Sequence, residues 1–313
     1  MSNKEKIDVP YILKTYWSFL KKYKLIAIAL VFLAIILTLI NYSTKYLMKV
    51  LIDNGALYLS KTLSSVEFLK TTTTIIVIWI IISLVATVIR WIRLDRTNKL
   101  EARLIYDLKQ RYYNHILQLS TNFHTTHKTG SLLSRLGRAA GGMERMTDFI
   151  IFNTLSLLFE LIISGVALFA IDIKIGLTFL VSGAIFAIYS AILQKIERNR
   201  RQLTNEAEDI EKGFTSDTFT NISSIKYYGK EQIVKQRYTN LAEKSNKSLM
   251  HEWNIGRWAG SGQALIMGLG GLAVLIFAAR GLVDGAITIG TITFASTLYY
   301  TLIGNVESFM SSL

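Results

Sequence analysis

The chain has 313 residues, 51% of them hydrophobic, with a net charge of +13 and no cysteine. That apolar share exceeds what a soluble domain of this length needs, and without cysteine there is no disulfide framework, thiol nucleophile or thiolate metal site. A basic excess in a soluble protein would point to nucleic acid, so the charges have to be placed before they are interpreted.

Lys4, Lys6, Lys14, Lys21, Lys22 and Lys24 precede an apolar run too long for a signal-peptide core and without a small-residue cleavage site, so the run reads as a first membrane span. Residues 1–24 are its lead-in. Within them, Tyr11, Tyr16, Trp17, Phe19 and Leu20 alternate with lysines, which suits an elbow helix in the membrane interface or a plain cytoplasmic lead-in. Six uncharged runs follow, at about 25–44, 71–89, 149–171, 175–193, 258–279 and 285–306, interrupted only by Glu160. Each is about the twenty residues that cross roughly 30 Å of hydrocarbon as a helix, and the alternation of a barrel strand is absent. The expected fold is an all-α membrane protein with six transmembrane helices in residues 25–313.

Residues 90–147 carry eleven Lys/Arg against four acids, and residues 195–257 carry twelve against nine. The connections at 53–70, 172–174 and 280–284 are short or nearly neutral, which places both termini and the two charged segments in the cytoplasm of a multi-pass cell-membrane protein. Lys45 and Lys49, at the outer end of the first run, are exceptions to that rule. The basic excess is then topological, and no nucleic-acid partner is needed.

Both charged segments have helix-forming composition and no proline. They predict stalks in which membrane helices continue into the cytoplasm and turn near residues 121–130 and 221–229. Four histidines (His115, His124, His127, His251) lie in charged segments with no strong metal spacing; His124 and His127 share a helical register but read as solvated or interface residues. Polar groups inside spans tend to face a cavity or a bundle interior, which selects Asn153, Glu160, Gln263, Tyr299, Tyr300 and Asn305. Glu160 either binds substrate or a proton, or closes an ion pair within the bundle. Gly256 and Gly260 form a small-residue pair suited to close helix packing.

The stretches Phe123-His124, Lys128-Thr129-Gly130-Ser131-Leu132-Leu133-Ser134-Arg135-Leu136 and Asn221-Ile222-Ser223-Ser224-Ile225-Lys226-Tyr227-Tyr228-Gly229 resemble the two coupling-helix regions of type I ABC exporters, and Gly285–Gly290 resembles the turn that opens their last span. Phe152-Asn153-Thr154-Leu155 with Glu160, Asn205-Glu206-Ala207, Lys226-Tyr227-Tyr228 and Gly262-Gln263 are similar to the heavy-metal-tolerance and mitochondrial-type subgroup, which handles glutathione and its conjugates. Arg201 matches one of that subgroup's two arginines at the inner end of span four. Glu197 stands in place of the other, Gly260 in place of an asparagine, and the proline usual near Asn305 is missing.

The resemblance implies an ATP-driven exporter's transmembrane domain, working as a homo- or heterodimer around a small-molecule substrate path. Phe123, His124, Lys128, Gly130, Lys226, Tyr227 and Tyr228 would dock a nucleotide-binding domain. No catalytic residue or metal site is expected, and the phosphate-binding loop of an ATPase is absent from the sequence. ATP and Mg would therefore enter through a nucleotide-binding domain, either a continuation past Leu313 or a separate chain. The competing readings are an ATP-independent transporter and a membrane scaffold for a cytoplasmic partner.

Overall fold

The computed structural model describes the backbone at 9–126 and 129–312 and the side chains at 10–123 and 132–310; among these residues it is helical with no strand. The chain divides into two compact units, Met1–Gly176 with Leu275–Leu313, and Leu177–Val274.

In the first unit, α1 (Val9–Leu20) is amphipathic. It buries Tyr16 and Phe19 against Leu100, Leu104 and Met143, and leaves Tyr11 and Trp17 exposed. The Tyr16 hydroxyl donates to Thr147 Oγ1 at 3.1 Å, and Lys22 and Tyr23 share Asp107 Oδ2. The elbow is therefore pinned to helices far along the chain.

A 3-10 turn over Lys21–Tyr23 leads to α2 (Lys24–Leu59). This helix outruns its uncharged run, which ends at Thr44. Lys45, Lys49 and Asp53 recur every fourth residue, and Lys49 pairs with Asp53 at 3.3 Å, so the turns beyond the run stay helical. After α2, Lys61 takes a left-handed φ of 61°. Ser64 then starts α3 (Ser65–Leu117) with a reciprocal capping box: Ser64 Oγ accepts from the Glu67 N–H and Glu67 accepts from the Ser64 N–H.

The short helix α4 (Thr121–Thr126) and α5 (Thr129–Asp148) follow. A π-helical stretch, Phe149–Thr154, joins α5 to α6 (Leu155–Ile171). Its widened ladder coincides with Arg93 of α3, whose Nη2 donates to Ile151 O at 2.5 Å and Ser156 Oγ at 3.2 Å while the guanidinium lies over the Phe152 ring. The last helix, α10 (Ile289–Ser312), buries Phe294, Ala295, Leu298, Tyr299, Leu302 and Ile303, one stripe at helical spacing, against α2 and α6.

The second unit holds most of α7 (Ile173–Thr220), the short α8 (Ile222–Tyr227), and α9 (Glu231–Val283) as far as Val274. Gly229 at φ +63° ends the α8 turn, with the Lys230 N–H donating back to Ile225 O.

Among the described residues, five stretches are long and apolar enough to cross a membrane. They leave large side chains such as Leu25, Ile28, Phe32, Leu84 and Val166 exposed, as lipid-facing surfaces require. α10 is not among the five, because Thr291, Thr293, Ser296, Thr297, Thr301 and Asn305 dilute its apolar stripe.

Candidate functional site

In the first unit, α2, α3, α6 and α10 enclose a polar chamber of about 480 Å³. Three contacts set the register of its walls. Asp53 of α2 accepts the Gly290 N–H at 2.7 Å and the Thr288 hydroxyl at 2.8 Å, capping the start of α10. A Cβ on Gly290 would run into the Lys49 carbonyl and Asp53, so this approach needs glycine. Tyr42 and Tyr46 meet Phe294 edge-on at 5.4 and 5.9 Å. Below these contacts Lys45 Nζ donates to Glu160 Oε1 at 2.9 Å, with side chains 15% and 9% exposed. Such a pair is tolerated at membrane depth because each charge neutralises the other.

Asn305 and Glu160, both selected from the sequence, line this chamber together with Asn41, Lys45 and Arg90. The latter three were not selected. Lys45 read only as an exception to the basic-residue rule, and Arg90 only as the first stalk charge. The four-residue spacing of Lys45, Lys49 and Asp53 was the available signal, since it puts all three on one face. Asn153 lies in the π-helical stretch, half-buried. Tyr299 is fully buried, whereas its neighbour Tyr300 is exposed, their rings edge-on at 5.4 Å.

A second polar group sits between α7 and α9. Gln263 Nε2 donates to Ser190 Oγ at 2.9 Å, and the Tyr189 hydroxyl donates to Trp258 O at 2.7 Å. Close packing in this unit occurs at Gly262, where a Cβ would strike the Tyr189 ring and hydroxyl, and not at Gly256 or Gly260, which have nothing within 4 Å of an added Cβ. Arg201 does not offer a free cation: Glu197 holds its Nη2 at 2.7 Å and Glu252 its Nε at 3.2 Å. The glutamate at 197 thus neutralises the arginine beside it.

At the turn between α7 and α9, Tyr227 and Tyr228 are 86% and 70% exposed, and Lys226 pairs with Glu231 at 3.1 Å. Beneath them an apolar hollow of about 400 Å³ is lined by Phe214, Phe219, Ile222, Ile225 and Val234. In α4, Phe123 is half-buried. Lys128 lies outside the described residues, and His124 and Gly130 outside those with described side chains.

One stalk carboxyl is strongly perturbed. Burial, followed by the Asp148 and Glu144 carboxyls, pushes Glu101 up to about 7. Among the described residues no group of three acidic, histidine or cysteine side chains is arranged to hold a metal.

The sequence matches the family described as ABC transporter transmembrane region over residues 25–306. Among curated relatives, the human mitochondrial iron-sulfur clusters transporter ABCB7 is 22% identical over 205 residues, which cover 65% of this chain and 27% of the relative. The corresponding ATM1 protein of Yarrowia lipolytica is 24% identical over 205 residues, 64% of this chain and 28% of the relative. A putative multidrug export ATP-binding/permease protein of Staphylococcus aureus is 27% identical over 295 residues, 90% of this chain and 48% of the relative. The chain therefore spans 27% to 48% of the length of these relatives. Long apolar helices with polar extensions, joined by short helices at their ends, fit the matched region throughout, and the chain belongs to the family of ABC transporter transmembrane regions.

Proposed function

We propose that the chain is the membrane-spanning part of an ATP-driven exporter. The observation that carries this reading is the length and ending of α7 and α9. With 48 and 53 residues, they extend about 70 and 80 Å at 1.5 Å per residue, more than twice the roughly 30 Å of a hydrocarbon core. They end in a capped helical turn that presents two tyrosines to solvent. Aromatic side chains raised on a rigid tip suit a partner's pocket, and an unbroken helix transmits a push at its end to the membrane.

In this reading both termini and both charged segments are cytoplasmic in the cell membrane, 195–257 throughout and 90–147 from about Leu100 onward, since Leu100 packs at the level of the elbow helix. Six spans, with α10 as the last, make one half of a dimer. Phe123, His124, Lys128, Gly130, Lys226, Tyr227 and Tyr228 dock nucleotide-binding domains. The described residues at the turn between α7 and α9 do not fit a nucleotide: they expose Tyr227 and Tyr228 where a phosphate site needs a glycine-rich cradle. ATP and magnesium would be held by the docked domain, and what this chain supplies is the path. Asn153, Glu160, Gln263, Tyr300 and Asn305 are proposed for that path, with Arg201 at its inner end, its charge more than offset by Glu197 and Glu252, and with Tyr299 as a buried support. The relatives' names support an exported small molecule, of the class handled by the mitochondrial-type exporters or of the multidrug class.

The test is ATP-driven uptake into inverted vesicles containing the chain and the ATPase that co-purifies with it. The double change Tyr227→Ala and Tyr228→Ala should abolish stimulation of the ATPase while leaving the helix content unchanged. Undiminished stimulation would remove the tip from the coupling path, and absence of any ATPase from the purified assembly would overturn the exporter reading.

A further inference from the structure

The chamber between α2, α3, α6 and α10 has an unequal stock of hydrogen-bonding groups. Its one anion, Glu160, is held by Lys45. Its threonine hydroxyls donate to their own helices: Thr44 to Ile40 O, Thr87 to Ser83 O and Thr301 to Thr297 O. Arg90, Asn41 and Asn305 line the same space, and none has a hydrogen bond or ion pair to another described residue. The formal charge of the lining is therefore +1, from Lys45 and Arg90 against Glu160. The unengaged groups are five guanidinium N–H donors and two carboxamides.

Depth makes that imbalance matter. Leu100 of α3 and Ile151 of the π-helical stretch belong to the cluster that buries the elbow helix. Arg90 is ten residues from Leu100 and Glu160 nine from Ile151, so both lie about 14–15 Å along their helices from the elbow's level. With the elbow in the interface, that is about half of a 30 Å hydrocarbon core. A cation there without a counter-charge is expensive, and such groups mark substrate sites.

We propose that this chamber is a binding site for a small molecule bearing one carboxylate, held by the Arg90 fork with Asn41 and Asn305 completing the shell. A planar guanidinium matches a carboxylate with two parallel hydrogen bonds. One negative charge neutralises the lining, whereas a phosphate monoester, at about −1.5 to −2, would leave an excess. The volume is in the range of drug-sized ligand sites. The inference rests on the exporter reading for its biological meaning, but binding itself needs no ATP.

The probe is a dansyl series: dansylglycine, its methyl ester and dansylcadaverine, titrated by fluorescence against the full chain in phosphatidylcholine nanodiscs. Dansylglycine should bind at least about tenfold more tightly than the ester, as expected for charge-assisted bonds, and dansylcadaverine more weakly than both. Arg90→Gln should erase the preference for the acid, and an unchanged helix content and melting temperature of the variant, expected because Arg90 is exposed, guard against simple misfolding. Arg90→Lys should restore part of the preference. Equal affinity for acid and ester, or a preference unchanged in Arg90→Gln, would overturn the inference. Displacement of dansylglycine by a minority of phosphatidylserine in the discs would also overturn it, reassigning the site to a lipid headgroup. Carboxylate-selective binding without ATP-driven uptake would count against the exporter reading alone, and uptake without carboxylate selectivity against the chamber alone.

Discussion

Removing Glu160 tests the charge arithmetic of the chamber directly. In Glu160→Leu the lining would hold Lys45 and Arg90 with no anion, whereas in Lys45→Met it would hold one cation, Arg90, and one anion, Glu160. Breaking a buried pair from one side costs about 3–5 kcal/mol because the other charge is stranded. The chamber is open enough for Arg90 to remain exposed, so the lower end applies, and about 3 kcal/mol is expected for Glu160→Leu. That is roughly a 150-fold change in the folded-to-unfolded ratio, at about 1.4 kcal/mol per decade. Lys45→Met should cost visibly less. The double change replaces two charges with apolar groups of similar volume and should recover most of the loss. Reversible unfolding in mixed detergent micelles, followed by the fluorescence of the five tryptophans, gives all four corners of the cycle. A Glu160→Leu protein within about 0.5 kcal/mol of the parent would refute the reasoning, as would a double variant as unstable as the sum of the singles.

Glu101 gives a pH prediction. Its folded-state value, about 7, lies above its ordinary value of 4.5, so the folded protein binds the proton more tightly than the unfolded chain does. Stability should therefore fall as pH rises from about 4.5 to 7 and level off above it. Glu101→Gln should flatten that slope and raise the melting temperature at pH 8; an unchanged profile would show that Glu101 is not the titrating group. Gly290→Ala forces a Cβ against the Lys49 carbonyl, which is backbone and cannot swing aside. It should lower the melting temperature more than Asp53→Ala, which loses a cap of about 1–2 kcal/mol; the reverse order would mean that the helix ends separate cheaply. Gly262→Ala should displace Tyr189 from the Trp258 carbonyl, detectable as changed tyrosine hydroxyl exchange, while Gly256→Ala should be silent.

What the sequence discloses here is local. The apolar runs and the turn closed by Gly229 are matters of neighbouring residues, and their chemistry is visible within a few positions. The chamber is not local: Lys45 and Glu160 are 115 positions apart, and a lysine past the end of an apolar run looks like a boundary until its partner is known. Helix length was also hidden, because residues past Thr44 stay helical through their own backbone bonds and not through bilayer contact. The π-helical stretch was illegible for the same reason, since its widened ladder is filled by Arg93, 58 positions upstream of Ile151. Arg201 shows the limit of matching residues one at a time, because the glutamate at 197 changes what the matched arginine offers.

The two fastenings of α2 bear on the order in which the molecule is made. The elbow before it waits for Thr147, 131 positions later, and Asp53 near its far end waits for Gly290, 237 positions later. At about 5–20 residues per second of synthesis, the first wait lasts roughly 7–26 s and the second roughly 12–47 s. During that interval the first-made helix must stay where the ribosome left it, in lipid, with Tyr16 and Asp53 hydrated or borrowed by other partners. The nascent protein is thus fastened first at the elbow end of α2, and the fastening at Asp53 closes only when α10 arrives.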